Sequence, residues 1–123
     1  MLTMKTLSVA VAADGTFTGY VDNWIPGRLV AIKFAFGDLA NTLDLTITGD
    51  KTGMPLFTYT NVPAANAWWF PVKKATVVDA DPPVASTVTD VPVFVMQERI
   101  KVVAAGGGAS KTGTLTFFID EGA

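Results

Sequence analysis

The sequence contains neither cysteine nor histidine among its 123 residues. Without cysteine, the chain has no disulfide bond, no thiol nucleophile and no zinc–thiolate site. Without histidine, it lacks the side chain that most often serves as a general base or a metal ligand. The common Ser-His-Asp and Cys-His catalytic arrangements are therefore excluded, and no other nucleophile is paired with an obvious base. The sequence predicts a protein that is not an enzyme, with no catalytic residue, cofactor or metal.

Charged residues are also scarce, at 16% of the chain, and the net charge is −2. The basic residues are scattered, so no basic patch predicts binding to nucleic acid. Half of the residues are hydrophobic, but no apolar run approaches the roughly 18 residues that a membrane-spanning helix needs. A high apolar fraction with few charges instead favours an apolar surface that meets a protein partner. A chain of this length is expected to form a single domain over residues 1–123.

Alternation of apolar and polar residues predicts β-strands, and no segment shows a sustained helical period. In residues 43–48 the alternation is strict, with Leu43, Leu45 and Ile47 facing inward. Turn residues recur about every 8–12 positions, which is typical of a sandwich or barrel. The prediction is an all-β protein, an antiparallel β-sandwich or jelly-roll-like barrel of about eight strands. Its strands are expected at residues 3–12, 17–21, 28–36, 43–48, 54–60 and 93–96, with two more within 98–120.

Turn residues predict how these strands connect. Residues 98–120 are expected to form a long closing hairpin around the glycine-rich segment 106–113. An Asp-Gly pair at residues 14–15 predicts a tight hairpin between the first two strands. Pro26 and Gly27 are expected to end the second strand. The apolar faces of the closing pair are predicted to be Ile100, Val102 and Ala104 on one strand, and Leu115, Phe117 and Ile119 on the other.

The strand at residues 28–36 is expected to place Val30, Ile32, Phe34 and Phe36 on one large apolar face. At the N-terminus, residues 1–13 resemble a weak secretory signal. Polar residues interrupt that segment and a turn follows it, so a first strand is the preferred interpretation.

Two short segments resemble ligand-binding motifs. Asp79, Asp81 and Asp90 could hold calcium through oxygen ligands, but they lack the spacing of an EF-hand and are interpreted as solvated loop acids. Residues 49–53 place Lys-Thr after a glycine, as a phosphate loop does. The spacing is wrong, and the segment joins two strands, so a hairpin turn is predicted there.

Three consecutive aromatic residues, Trp68, Trp69 and Phe70, cannot all face one side of a strand. With Tyr20 and Trp24 they could form a stacking platform for a sugar or single-stranded nucleic acid. Few basic residues are interleaved with them, which disfavours nucleic acid. The favoured interpretation places two of the three rings in the core and one in a protein interface.

Residues 73–92 are the longest irregular region and are predicted to form a loop, since loops of this length are usually functional or flexible. Its charged residues are further candidates for a protein interface. The full set of candidate interface residues is Trp24, Trp68, Trp69, Phe70, Lys73, Lys74, Asp79 and Asp81.

Several short motifs between residues 27 and 120 resemble a group of small virion structural proteins of tailed bacteriophages. The motifs are Arg28-Leu-Val-Ala-Ile, Asp44-Leu-Thr-Ile-Thr-Gly49, Thr52-Gly-Met-Pro-Leu-Phe-Thr58, Phe70-Pro71, Glu98-Arg-Ile-Lys-Val-Val103 and Lys111-Thr-Gly-Thr114. All of them are structural, so no catalytic residue carries over.

The resemblance implies a decoration (cement) protein on the surface of the phage capsid. Such a protein would bridge neighbouring subunits of the major capsid protein, act as a homotrimer and bind the expanded shell better than the immature one. The loop at 73–92 and the N-terminal segment would reach neighbours, while Trp68 and Trp69 would be buried within the oligomer. A tail or head–tail connector protein, a carbohydrate-binding β-sandwich module and an enzyme with a polar pocket remain alternatives.

Overall fold

The computed structural model describes residues 2–77 and 87–121, with side chains described for 2–21, 27–72 and 92–121. These residues form strands and loops without any helix, and so the described chain contains no helix that could cross a membrane. All strand pairs are antiparallel, which confirms the predicted antiparallel all-β fold. The strands are β1 (Leu2–Ala10), β2 (Phe17–Ala35), β3 (Leu43–Gly49), β4 (Pro55–Val62), β5 (Ala67–Trp69), β6 (Val72–Val77), β7 (Thr87–Ala105) and β8 (Thr112–Asp120).

The eight strands form one sheet in the order β1-β8-β2-β7-β3-β4, with β5 attached to β2 and β6 attached to β7. Two strands of 19 residues, β2 and β7, run through the whole fold. The first part of β2 pairs with the last part of β7, which pairs with β3 on its other side. The last part of β2 pairs with β8 on one side, and on the other side with the first part of β7 and then with β5. The sheet therefore has two halves. The β8 half contains β1, β8, β5, the last part of β2 and the adjoining part of β7. The β3 half contains β3, β4, the first part of β2 and the last part of β7.

The predicted closing hairpin is wrong in its pairing. β7 and β8 are not neighbours, because β2 lies between them. The predicted hairpin between the first two strands is also wrong, since β1 pairs with β8 along its full length. The Asp14 side chain does accept hydrogen bonds from Thr16. This turn, however, bonds to the glycine-rich loop through Gly107 N to Gly15 O and Ser110 N to Ala12 O, and the docked loops bring β1 beside β8.

The predicted break at Pro26 and Gly27 is wrong as well, because β2 continues through both residues. The strand absorbs the proline by shifting its register with β7 between Val21 and Pro26. A second irregularity lies at Val30, where Leu29 pairs with Ile119 and the next pair along is Ala31 with Phe118. Such a bulge changes which side chains face the core.

The bulge accounts for an error in the predicted core face of this strand. Leu29 is buried before the bulge, and Ile32 and Phe34 are buried after it, as predicted for the last two. Val30 and Phe36 are only partly buried, and Phe36 packs against the edge of the core.

The predicted loop at residues 73–92 contains most of a two-stranded ribbon, in which β6 pairs with the first residues of β7 from Val72–Pro92 to Val77–Thr87. The loop prediction is therefore wrong for residues 73–77 and 87–92. Residues 78–86 lie outside the described chain.

The core fills the inner side of the sheet. Alternation was predicted correctly for β3, where Leu43, Leu45 and Ile47 are buried. The same holds for the two strands of the supposed closing hairpin, whose predicted apolar faces are all buried. Side chains of this size contribute about 1.5–3 kcal/mol each when fully buried, so the inner face supplies most of the stability of the fold.

Candidate functional site: an apolar outer face

The three consecutive aromatic residues divide between the two sides of the sheet. Trp69 points inward, where its ring stacks on Phe34 at 5.0 Å and on Phe57 at 5.1 Å between centroids. Trp68 is 52% exposed and Phe70 is 70% exposed. The prediction of two core rings and one interface ring is therefore wrong, because alternation within β5 sends one ring in and its two neighbours out.

Trp68 lies flat on the outside of the sheet. Its strand pairs with β2 so that Trp68 stands opposite Lys33, and the Lys33 ammonium lies 5.6 Å from the centre of the indole ring. The ring of Phe118 from β8 also contacts the indole, with 5.3 Å between ring centroids. The indole is thus positioned by its neighbours, while about half of the residue stays exposed to solvent.

Strand register places further exposed apolar side chains on the same outer side. One cross-strand row reads Leu2, Asp120, Arg28 and Phe94 through β1, β8, β2 and β7. The next row on β1 and β8 pairs Met4 with Phe118. Directly opposite residues in antiparallel strands share a face. Leu2, Met4 and Phe94 therefore project from one surface.

The ribbon extends this surface. Val72 pairs with Pro92, which lies two residues before Phe94 and hence on the same side of β7. Met96 follows two residues after Phe94, and it too is exposed. We call this surface the apolar outer face. It comprises all seven large hydrophobic side chains that are strongly exposed in the described chain: Leu2, Met4, Trp68, Phe70, Val72, Phe94 and Met96.

Two shallow grooves cross the apolar outer face. The first, of about 380 Å³, runs along Phe70 and Val72 beside Arg28. The second, of about 430 Å³, runs along Phe94 beside Asp120. Arg28 and Pro92 border both grooves. The guanidinium group of Arg28, with its several donors, thus lies among apolar side chains and next to the cross-strand partner Asp120.

The outer side of the β3 half is polar by contrast. Its cross-strand rows carry threonines, such as Thr46 opposite Thr58. Arg99 forms an ion pair with Asp50 at 2.7 Å and covers the ring of Tyr20 at 4.2 Å. Among the described residues, the strongly exposed large apolar side chains therefore lie on the β8 half or at its border with β4, where Phe70 and Val72 line a groove of about 330 Å³ with Phe57 and Thr58. A patch of this kind on a folded protein is typical of a binding surface.

A buried carboxylate lies on the inner side, at the start of the β3 half. Glu98 has no exposed surface, and its carboxylate accepts hydrogen bonds from the amides of Lys51 and Thr52 and from the Thr52 hydroxyl, each at 2.7 Å. Gln97, just before it, has a positive φ of 51°. The carboxylate thus has no exposed surface and is hydrogen-bonded to the β3–β4 turn, so it holds this turn in place.

Those hydrogen bonds determine the direction in which the pKa of Glu98 is shifted. Burial acts to raise its pKa, but the bonds from Thr52 and Lys51 outweigh burial, and the pKa lies below the ordinary value of 4.5. When the pKa of a carboxyl group is lower in the folded protein than in the unfolded chain, the group stabilises the fold at pH values above the unfolded-chain pKa. This contribution is lost as pH falls toward the pKa of the folded protein. We therefore expect the stability advantage of the native protein over Glu98→Gln to be constant near neutral pH and to shrink as pH falls below 4.5.

Urea unfolding of both proteins across this range measures the effect. Glu121→Gln is the control, because Glu121 is exposed. An advantage of the native protein over Glu98→Gln that does not change with pH would contradict the assignment.

The remaining predicted interface residues are only partly located. Trp24 lies in β2, and Lys73 and Lys74 lie in β6, but their side chains are not among those described. Asp79 and Asp81 fall outside the described residues. No cluster of acidic residues that could hold a metal ion occurs in the part of the chain with defined placement.

The segment at 49–53 is the predicted hairpin turn, because it joins β3 to its partner β4. Sequence reasoning missed five members of the apolar outer face, and missed the burial of Glu98. One signal was present in β7: Phe94 and Met96 alternate with the buried Val93 and Val95, so an apolar residue at every position indicated a strand with two apolar sides.

No protein-family model matches this chain, and no curated protein sequence matches it either. Its function is therefore inferred from the surface of the molecule.

Proposed function

We propose that the protein is a non-catalytic virion structural protein that decorates and stabilises the mature capsid of a tailed bacteriophage. In this proposal the apolar outer face binds neighbouring subunits of the major capsid protein. The observation that carries the proposal is that, among the described residues, the seven strongly exposed large hydrophobic side chains lie along one surface of the sheet. The resemblance of the sequence motifs to those of phage virion proteins is our reason for choosing the capsid as the partner of this face.

The composition of the face suits a protein partner. Interfaces are enriched in aromatic residues, Met and Arg, and a few buried aromatic anchors often supply most of the binding energy. Trp68, Phe70 and Phe94 would be such anchors, with Arg28 between the two grooves. Because these side chains sit on paired strands or directly beside them, they need little ordering on binding, which lowers its entropic cost.

Stabilisation of the shell follows from differential binding. A ligand that binds one state of a receptor more tightly shifts the equilibrium toward that state. A decoration protein that contacts two or more subunits of the expanded shell would therefore oppose its reversal or rupture. Many weak contacts repeated over a shell also add up, since each linked contact forms at a high effective concentration.

Cosedimentation with empty capsids tests the proposal. The protein should pellet with expanded mature capsids and not with procapsids. Phe94→Asp should weaken binding by about 30-fold or more, because it places a charge at a desolvated contact worth about 2 kcal/mol. Thr46→Asp, which adds the same charge to the polar β3 half, should bind as the native protein does.

Several outcomes would overturn the proposal. They are equal pelleting with both shells, binding to neither, or native binding by Phe94→Asp. Binding to purified tails in place of capsids would support a tail or connector role.

A carbohydrate-binding role is the second candidate, favoured by the exposure of the Trp68 indole. Sugars stack on exposed aromatic rings, and such stacking would be lost in Trp68→Ala. Glycan-array binding by the native protein that disappears in Trp68→Ala would favour this role over capsid decoration.

A further inference from the structure

The hydrogen-bonded path of the sheet ends at β1 and at β4, and these two edge strands differ. β4 has features that natural edge strands use to prevent pairing with other chains. It begins with Pro55, its register with β3 shifts near both ends, and Asn61 has a positive φ of 55°. β1 has no proline and an unbroken nine-residue register with β8. One charged residue, the core-facing Lys5, is its only such feature. Because β1 pairs with no strand except β8 in the described chain, it is the better suited of the two end strands to accept another strand.

We propose that β1 pairs antiparallel with β1 of a second copy of this chain, in a two-fold dimer centred on Thr6. An axis at Thr6 pairs all nine residues of the strand, from Leu2 opposite Ala10 to Ala10 opposite Leu2. Any other centre leaves some residues of the strand without a partner. In this register, residues that face the core stand opposite residues that face the core, because partners differ by an even number of positions.

The side chains fit this register. Leu7 is only partly buried and packs against the rim of the core. The second copy places Lys5 opposite it, so the aliphatic stem of the lysine covers Leu7 while its ammonium reaches solvent. Lys5 is the only charged residue of β1, and the two copies of Lys5 are diagonal neighbours, not direct ones. Thr6 stands opposite Thr6, a favourable cross-strand pair.

The pairing would also join the two apolar outer faces. A two-fold axis perpendicular to the sheet keeps the outer sides of both copies on one side of a continuous sheet. Leu2 and Met4, exposed by 61% and 63% at this edge, would then lie near the middle of the joined surface. The dimer does not depend on the capsid role, but it would present two apolar faces to any partner.

The mass in solution tests the dimer. Light scattering after size exclusion should give twice the 13.0 kDa of the chain for the native protein. Thr6→Lys should give the monomer mass, because it sets two ammonium groups directly opposite each other. Thr58→Lys, an equally exposed threonine on the protected edge strand β4, should remain a dimer. A monomeric or trimeric native protein, or a dimeric Thr6→Lys, would overturn the proposal.

Cross-linking tests the register itself. Because the chain contains no cysteine, Thr6→Cys has a single thiol per copy, and directly opposite Cβ atoms lie about 4.5–5.5 Å apart. Mild oxidation should convert most of Thr6→Cys into a covalent dimer, and should leave Thr58→Cys as a monomer on a denaturing gel. Equal cross-linking of the two variants, or none in Thr6→Cys, would contradict pairing centred on Thr6.

Discussion

Replacing Glu98 by alanine should lower the free energy of unfolding by about 3 kcal/mol or more. The substitution removes the acceptor of three hydrogen bonds, those from Lys51 N, Thr52 N and Thr52 Oγ1. A hydrogen bond to a charged group contributes about 1.5–3 kcal/mol. The loss also leaves a void beside Gly49, whose backbone packs against the carboxylate. Urea denaturation followed by tryptophan fluorescence measures the change.

Two further variants make this experiment specific. Glu98→Gln should cost less than Glu98→Ala, because its amide oxygen can still accept the two backbone bonds that now go to Oε1. Glu121→Ala, an exposed glutamate, should stay within about 0.5 kcal/mol of the native protein. A Glu98→Ala protein within about 1 kcal/mol of native would show that the turn does not need this carboxylate.

Glu98 illustrates a signal that the sequence carried and that alternation alone could have found. It shares the parity of Ile100, Val102 and Ala104, all of which are buried. A glutamate in that series has to be buried too, and a buried carboxylate needs hydrogen-bond donors. The nearby turn, with its free amides and Thr52, supplies them. Which turn would do so was not predictable, because β3 meets β7 across about 50 residues of sequence.

Which side of a strand faces the core was the most predictable feature of this fold. In β3 and β8 the alternation is regular, and the structure buries the residues that it marks. Pairing was much less predictable. The turn at Asp14 and the glycine-rich loop each have the local chemistry of a hairpin, yet each connects strands that are not neighbours. Sheet order depends on contacts that are distant in sequence, and turn residues carry no information about those contacts.

Bulges limited what could be predicted about the outer face. The irregularity at Val30 and the positive φ of Gln97 each change the parity of a long strand. A strict period of two, applied across such a point, assigns the following side chains to the wrong face. Before Gln97 the buried residues are Val93 and Val95; after it they are Glu98 and Ile100. Which residues of β2 and β7 belong to the apolar outer face therefore depends on where these two irregularities lie.

Alanine substitution of the adjacent residues Trp69 and Trp68 should lower the free energy of unfolding by very different amounts. Trp69→Ala should destabilise the fold by about 3 kcal/mol, the usual cost of removing a large aromatic side chain from a packed site. Its indole is surrounded by the rings of Phe34, Phe57 and Tyr59 at 5.0–5.3 Å. These contacts join β5, on one side of the core, to β4, with which it shares no hydrogen-bonded pairing.

Trp68→Ala is the matched control, since it deletes the same side chain one residue away. It should cost about 1 kcal/mol or less, because the indole is 52% exposed and its partners, Phe118 and Lys33, lie on the outer side. We expect Trp68→Ala to weaken capsid binding and yet to unfold at nearly the same urea concentration as the native protein. Trp69 would then contribute mainly to stability and Trp68 mainly to binding. Equal destabilisation by both substitutions would contradict the assignment of one ring to the core and the other to the apolar outer face.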